Sequence, residues 1–130
     1  VELNWKDKTI VIVDDTKLNF VLLRTILRKT EANIVWLENG QEAIDYVKKS
    51  TDADLILMDI RMPVVDGIEA SKTIKSIAPQ IPIIIQTASV MGEAFEDIKN
   101  SGCDDTIFKP IDSASLIVKI KQLFDKKPTK

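Results

Sequence analysis

Asp54-Leu55-Ile56-Leu57-Met58-Asp59 sets large apolar residues in an unbroken row and closes the row with a carboxylate. A strand wetted on one face alternates apolar with polar residues; a short unbroken run between polar clusters fits a strand covered on both faces. The strand is expected over Asp54 to Met58, with Asp59 just beyond it. Working outward, Thr9-Ile10-Val11-Ile12-Val13 and Pro82-Ile83-Ile84-Ile85-Gln86 repeat the pattern. Asn33 to Leu37 and Asp105 to Phe108 have similar composition with more polar interruptions, as suits strands at or near a sheet edge.

Between these runs lie stretches with helical periodicity: about Lys17 to Lys29, Gln41 to Lys49, Ile68 to Ile77, Glu93 to Asn100 and Ala114 to Phe124. Pro63, Pro79, Pro82 and Pro110, with Gly40, Gly67, Gly92 and Gly102, fall almost entirely in the joints, where a fixed or positive φ is useful. Strand and helix therefore alternate five times over. That order predicts an α/β fold: a doubly wound, five-stranded parallel sheet with right-handed crossovers and helices on both faces. Residues 1–8 read as an approach segment, 9–125 as one domain and 126–130 as a tail. Because the chain begins at Val1, a piece of a longer protein is expected.

Bulk properties narrow the function. The 130 residues suffice for one good core, and 45% apolar with 29% charged residues is ordinary globular composition. A net charge of -2 with interspersed signs offers no continuous cationic surface, which argues against nucleic acid as a partner. No apolar run reaches the roughly 18 residues that span a bilayer, so no membrane contact is expected. The single cysteine, Cys103, excludes an intramolecular disulfide and suits a reducing compartment, the cytoplasm, as a buried small hydrophobe.

In an open sheet of this kind ligands bind beyond the carboxyl ends of the strands. The residues there are Asp14 and Asp15 after the first strand, Asp59 after the third, Thr87 after the fourth and Lys109 after the fifth. Taken singly, Asp14-Asp15 reads as a helix N-cap pair, Asp59 as a turn residue, and Thr87 and Lys109 as a strand-end hydroxyl and a solvated amine. Their conjunction on one edge reads differently. Gathered carboxylates repel one another unless a cation is present, and hard divalent ions such as Mg²⁺ take oxygen ligands. A carboxylate nucleophile, a metal, a hydroxyl and an ammonium together describe phosphoryl transfer, with an aspartyl phosphate as product.

The pattern Val13-Asp14-Asp15, Met58-Asp59-Ile60-Arg61-Met62-Pro63 with Asp66-Gly67, Thr87-Ala88 and Lys109-Pro110 resembles the response-regulator receiver family over about residues 8 to 125. The resemblance implies a flavodoxin-like, CheY-like fold in which Asp59 accepts phosphate from a phosphohistidine. It also implies Mg²⁺, with Mn²⁺ as an alternative, held by Asp15, Asp59 and the Arg61 main-chain carbonyl, with Asp14 acting largely through water. Thr87 and Lys109 would contact the phosphoryl oxygens, and the Lys109-Pro110 bond would be cis. Asn4-Trp5, Asn19-Phe20, Glu38-Asn39-Gly40-Gln41-Glu42-Ala43 and Gly102-Cys103-Asp104-Asp105 are more similar to receivers of hybrid sensor histidine kinases than to those fused to DNA-binding outputs. A stand-alone single-domain regulator and an interaction module without phosphorylation are the alternatives. A haloacid-dehalogenase-like phosphatase would need a carboxylate where Arg61 stands, and no glycine-rich phosphate loop supports a nucleotide-binding module.

The chain departs from the family where a Tyr or Phe usually stands three residues before the lysine; here the residue is Thr106. Phe108 is expected on the opposite face and so not to substitute, which predicts output by passing phosphate onward rather than by a large surface rearrangement. On the first helix Leu18, Leu22, Ile26, Leu23, Leu27 and Phe20 cover roughly half the circumference, wider than the core-facing stripe of about 100°. In the family this region docks the histidine-bearing helices of a kinase or a histidine phosphotransfer protein. Leu18, Asn19 and Leu22 are therefore expected on a partner face, unless neighbouring helices and the segment with Trp5 cover it.

Overall fold

The computed structural model describes residues 4–50, 52–88 and 93–126. Five strands, β1 (Thr9–Val13), β2 (Asn33–Leu37), β3 (Leu55–Asp59), β4 (Ile83–Thr87) and β5 (Asp105–Phe108), form one parallel sheet in the order β2-β1-β3-β4-β5. Helices α1 (Lys17–Leu27), α2 (Gly40–Lys49), α3 (Gly67–Ile77), α4 (Glu93–Asn100) and α5 (Ser113–Lys126) alternate with them. The two interrupted runs, β2 and β5, are the edge strands. The expected architecture is the observed one. Gly92 and the tail residues 127–130, which entered the reading of joints and tail, lie outside the described residues, as do residues 1–3 of the approach segment.

Alternation of side chains along each strand divides the core in two. Val11, Val13, Ile56, Met58, Ile83 and Ile85 face α2 and α3, where Ala43, Val47, Ala70 and Ile74 meet them. Ile10, Ile12, Leu55, Leu57, Ile84 and Ile107 face α1 and α5, where Leu23, Leu27, Leu116 and Ile120 meet them. Fully burying each of the valine, leucine, isoleucine and methionine side chains contributes roughly 1.5–3 kcal/mol. The helix starts have local causes: Asn39 accepts a hydrogen bond from Glu42 N at 2.9 Å, Glu42 reaches back to Glu38 N at 2.8 Å, and Asp66 accepts from Glu69 N at 2.9 Å. Asn39 and Asp66 are N-caps, and at the first the Glu42 carboxylate adds a hydrogen bond to the residue just before the cap.

Boundaries differ from expectation in ways that matter. β3 and β4 run one residue further than the sequence pattern suggests, so Asp59 and Thr87 are the last residues of strands rather than the first of loops. At the other end Asp54 is tied to β1 from outside the strand, its N donating to Thr9 O at 2.8 Å and its carboxylate accepting from Thr9 N at 2.8 Å. α1 stops at Leu27, not Lys29; a 3₁₀ turn over Arg28–Thr30 follows and ends at Glu31, whose φ is 65°. α5 extends past Phe124 to Lys126.

Trp5 is buried and packs edge-on against Phe124 of α5, with centroids 5.0 Å apart, while its N donates to Thr30 O at 2.7 Å. The segment therefore seals the amino-terminal end of the sheet and leaves the outer face of α1 uncovered, where Leu18 is 79% and Leu22 44% exposed.

Gly67 seats α3 directly on the strand end that carries Asp59. Its N donates to Ile60 O at 2.8 Å, and a Cβ placed on it would lie 1.9 Å from the Asp59 carbonyl oxygen. Gly67→Ala is therefore expected to lower stability by about 3 kcal/mol, the upper range for overpacking. Urea unfolding checks this, and a midpoint equal to the parent's would refute it.

Candidate functional site

The pleat brings the predicted residues together. On the α1/α5 face, Asp14 continues the row Ile10-Ile12, Asp59 the row Leu55-Leu57, Gln86 follows Ile84, and Lys109 follows Ile107. Register pairs Val13 with Met58, which sets Asp14 beside Asp59 one step further on; Asp59 is paired with Gln86, and Gln86 with Ile107. Asp15 follows in the loop. One oxygen from each of Asp14, Asp15 and Asp59 lies within 4.8 Å of the others, with Asp14 and Asp59 buried and Asp15 exposed. Hard divalent cations bind such oxygen sets.

Each acid is held differently. Asp14 Oδ1 accepts from Thr16 N at 2.9 Å and Oδ2 from the Asn19 side-chain amide, while its carbonyl accepts from the Trp36 indole N–H at 2.9 Å. The Trp36 ring stacks on Phe20 with centroids 4.5 Å apart. Asp59 Oδ1 accepts from Ile60 N at 3.0 Å and from Lys109 Nζ at 3.1 Å. Lys109 N donates to Thr87 O at 2.9 Å, which sets the hydroxyl and amine residues side by side. Thr87 is buried, and the Lys109-Pro110 peptide is cis. Arg61 is exposed and lines, with Asp15, Met62, Asp66 and Asp97, a groove of about 710 Å³ at the mouth of the acidic cluster.

Burial pushes the Asp59 carboxyl above the ordinary carboxylate range, and the neighbouring Asp14 charge pushes the same way; Lys109 and the Ile60 N–H pull it back only in part. The expected acidic residues thus include a carboxylate whose charge is poorly accommodated, beside the Lys109 ammonium.

Two expectations change. Thr106 and Phe108 do not lie on opposite faces: residues two apart on a strand share a face, and both line the groove between α4 and β5 with Ile98 and Cys103, whereas Ile107 turns into the other core. An aromatic ring, 49% exposed, is therefore present on the Thr106 side after all. Asn19 has a double setting. It borders the shallow apolar groove formed with Leu18, Val21 and Leu22, but its amide hydrogens go inward to Asp14 and to Gln86 Oε1, the latter at 3.0 Å. Gln86 was not among the expected residues; the available signal was a lone amide at the end of an isoleucine run.

The sequence pattern of the response regulator receiver domain matches residues 10–121. The chain belongs to that family. The receiver is 36% identical over 110 residues to the Autoinducer 1 sensor kinase/phosphatase LuxN of Vibrio campbellii, with 85% of this chain matched to 13% of that one, so it spans only a small part of that relative's length. It is 37% identical over 116 residues to the polar-differentiation response regulator DivK of Brucella anthropi, with 88% of this chain and 94% of DivK covered. Among solved structures, the receiver domain of sensor histidine kinase PA1611 from Pseudomonas aeruginosa, crystallised with a magnesium ion coordinated in its active-site cleft, superposes with a TM-score of 0.85 at 26% identity over 92% of this chain and 98% of that one. The chain is therefore a receiver domain of two-component systems, akin both to hybrid-kinase receivers and to single-domain regulators.

Because its pKa is raised on folding, Asp59 binds its proton more tightly in the native than in the unfolded chain. Its contribution to metal-free stability therefore falls as pH rises from the ordinary value of 3.8 through the raised one, and the charge is a net cost at neutral pH. Asp59→Asn should raise the metal-free thermal midpoint at neutral pH by about 3–5 °C, corresponding to roughly 1 kcal/mol in a domain of this size. A midpoint at or below the parent's would contradict the account of Asp59.

Proposed function

We propose that Asp59 is the phosphoacceptor of this receiver, taking a phosphoryl group from a phosphohistidine on a partner. The observation that carries this reading is the cluster itself: three carboxylates with oxygens within 4.8 Å and an ammonium 3.1 Å from Asp59. Among the described residues both hydrogen bonds to the Asp59 carboxylate go to Oδ1, which leaves Oδ2 to meet phosphorus. An Asp59 oxygen bonds to phosphorus as the phosphorus–nitrogen bond of a phosphoimidazole protonated on its other ring nitrogen breaks; the electron pair stays on the departing nitrogen, and the imidazole leaves neutral. Lys109 and the Thr87 hydroxyl receive the oxygens of the transferred group. Water later breaks the oxygen–phosphorus bond of the acyl phosphate, returning carboxylate and inorganic phosphate.

The donor set fits Mg²⁺, with Mn²⁺ as a substitute of similar chemistry: Asp15, Asp59 and the Arg61 main-chain carbonyl as direct ligands and Asp14 mostly through water. The ion would neutralise charge that builds on the phosphoryl oxygens.

The chain holds no histidine, so the donor belongs to another domain or protein: the phosphotransfer helices of a histidine kinase or a histidine phosphotransfer protein. The exposed leucines Leu18 and Leu22, at the rim of the acidic site, supply an apolar face for such helices. The parent is either a hybrid sensor kinase or a stand-alone regulator acting in the cytoplasm, and output runs mainly through onward transfer of phosphate. With Phe108 on the Thr106 side, a modest ring movement at the sheet edge accompanies it.

Incubation with acetyl phosphate and Mg²⁺ should add one phosphoryl group to the parent, read by intact mass, and none to Asp59→Asn; labelling of that variant would end the assignment. Leu18→Gln combined with Leu22→Gln should slow transfer from a cognate phosphohistidine donor at least about tenfold, the equivalent of 1.4 kcal/mol. Labelling by acetyl phosphate should be unchanged. Equal loss with both donors would show that the leucines support the fold rather than the partner.

A further inference from the structure

Gln86 is polar where the fold calls for an apolar residue. It is fully buried in β4, on the face shared by Ile84 and Ile107, with Asp59 as its register partner on one side. Its Oε1 accepts a hydrogen bond from Asn19 Nδ2, and the second hydrogen of that amide goes to Asp14 Oδ2. Its own Nε2 has no partner among the described residues. A buried donor left unmade costs stability, and an aliphatic side chain, as two residues earlier at Ile84, would avoid that cost. Gln86 is therefore poorly explained by packing and well explained by what its oxygen holds.

That oxygen fixes Asn19. An amide that gives one hydrogen to a carboxylate and the other to a carbonyl cannot turn over without setting its own oxygen against both acceptors. Asp14 Oδ1 is fixed in turn by Thr16 N. Both oxygens of Asp14 are thus oriented before any ligand arrives, one from its own loop and one from α1 through β4. Outer partners of this kind raise metal affinity because the ligand need not be ordered on binding.

We propose that Asn19 and Gln86 are positioning residues: the buried bridge Gln86–Asn19–Asp14 presets the Asp14 carboxylate for a divalent cation and ties it to the residue preceding Thr87. The proposal rests on the reading of Asp14, Asp15 and Asp59 as a cation site. Its distinctive consequence is that the bridge serves affinity and not the stability of the metal-free fold.

Magnesium titrations of the parent, Gln86→Met, Asn19→Ala and the double variant test it. Trp36, whose indole donates to the Asp14 carbonyl, provides a fluorescence signal, and calorimetry an independent one; thermal unfolding without metal accompanies both. Each single substitution is expected to weaken Mg²⁺ binding about tenfold. The double variant should be no weaker than the weaker single one, because both break the same bridge. Gln86→Met should leave the metal-free midpoint unchanged or higher. Mg²⁺ affinity of Gln86→Met within roughly twofold of the parent, the usual error of such comparisons, would overturn the proposal. So would affinity that falls only in step with metal-free stability. A parent that binds no Mg²⁺ would instead remove the cation site itself, and the bridge's role with it.

Discussion

Repulsion between carboxylates at the carboxyl edge of the sheet is the constraint around which the rest of this domain is arranged. Asp14 and Asp59 extend neighbouring buried strands, and their oxygens lie within 4.8 Å. Two full charges at that distance repel by roughly 3 kcal/mol at an effective dielectric of about 20. Lys109 offsets part of this and burial adds to it, which is why the Asp59 carboxyl sits above its ordinary range. A fold that keeps such a cluster is less stable than it could be without it. Positive charge entering the cluster would offset that cost, so the resting repulsion and an affinity for cations would have the same origin.

Holding acids together against their repulsion requires a support that does not yield. β1, β3 and β4 are the central strands, covered on both faces, and their ladders fix backbone position to within a hydrogen bond. Asp59 and Thr87 close their strands as paired residues, so neither can drift outward as a loop residue could. Gly67 adds a second restraint by letting α3 abut the Asp59 carbonyl. The more exposed surroundings of the site are by contrast loops and a helix surface: Asp15, Arg61 and the outer side of α1.

α1 serves two surfaces at once. Phe20, Leu23 and Leu27 anchor it in the core, Asn19 reaches the acidic cluster, and Leu18 and Leu22 face outward. Consecutive positions 18 and 19 therefore meet different environments within one turn, as the helical advance of about 100° per residue requires. The wide apolar arc of this helix thus spans a core-facing side and an exposed side.

Much of the fold and most of the site could be read from the chain because the signals are local. An unbroken apolar run marks a two-sided strand wherever it occurs, and the carboxylate or lysine that ends it is carried to the same edge by any parallel arrangement; Asp14, Asp15, Asp59, Thr87 and Lys109 are legible on that ground. The pleat likewise fixes Thr106 and Phe108 to one face, a relation of period two that the sequence contains and that the expectation of opposite faces overlooked. What only the tertiary structure decided depends on register between distant segments: that Asn19 and Gln86, separated by 67 positions, share a hydrogen bond, and that Trp5 closes on Phe124 rather than over Leu18. A hydrogen bond between distant residues is set by distances of tenths of an ångström, and those follow from how helices and strands pack, not from the order of residues along either one.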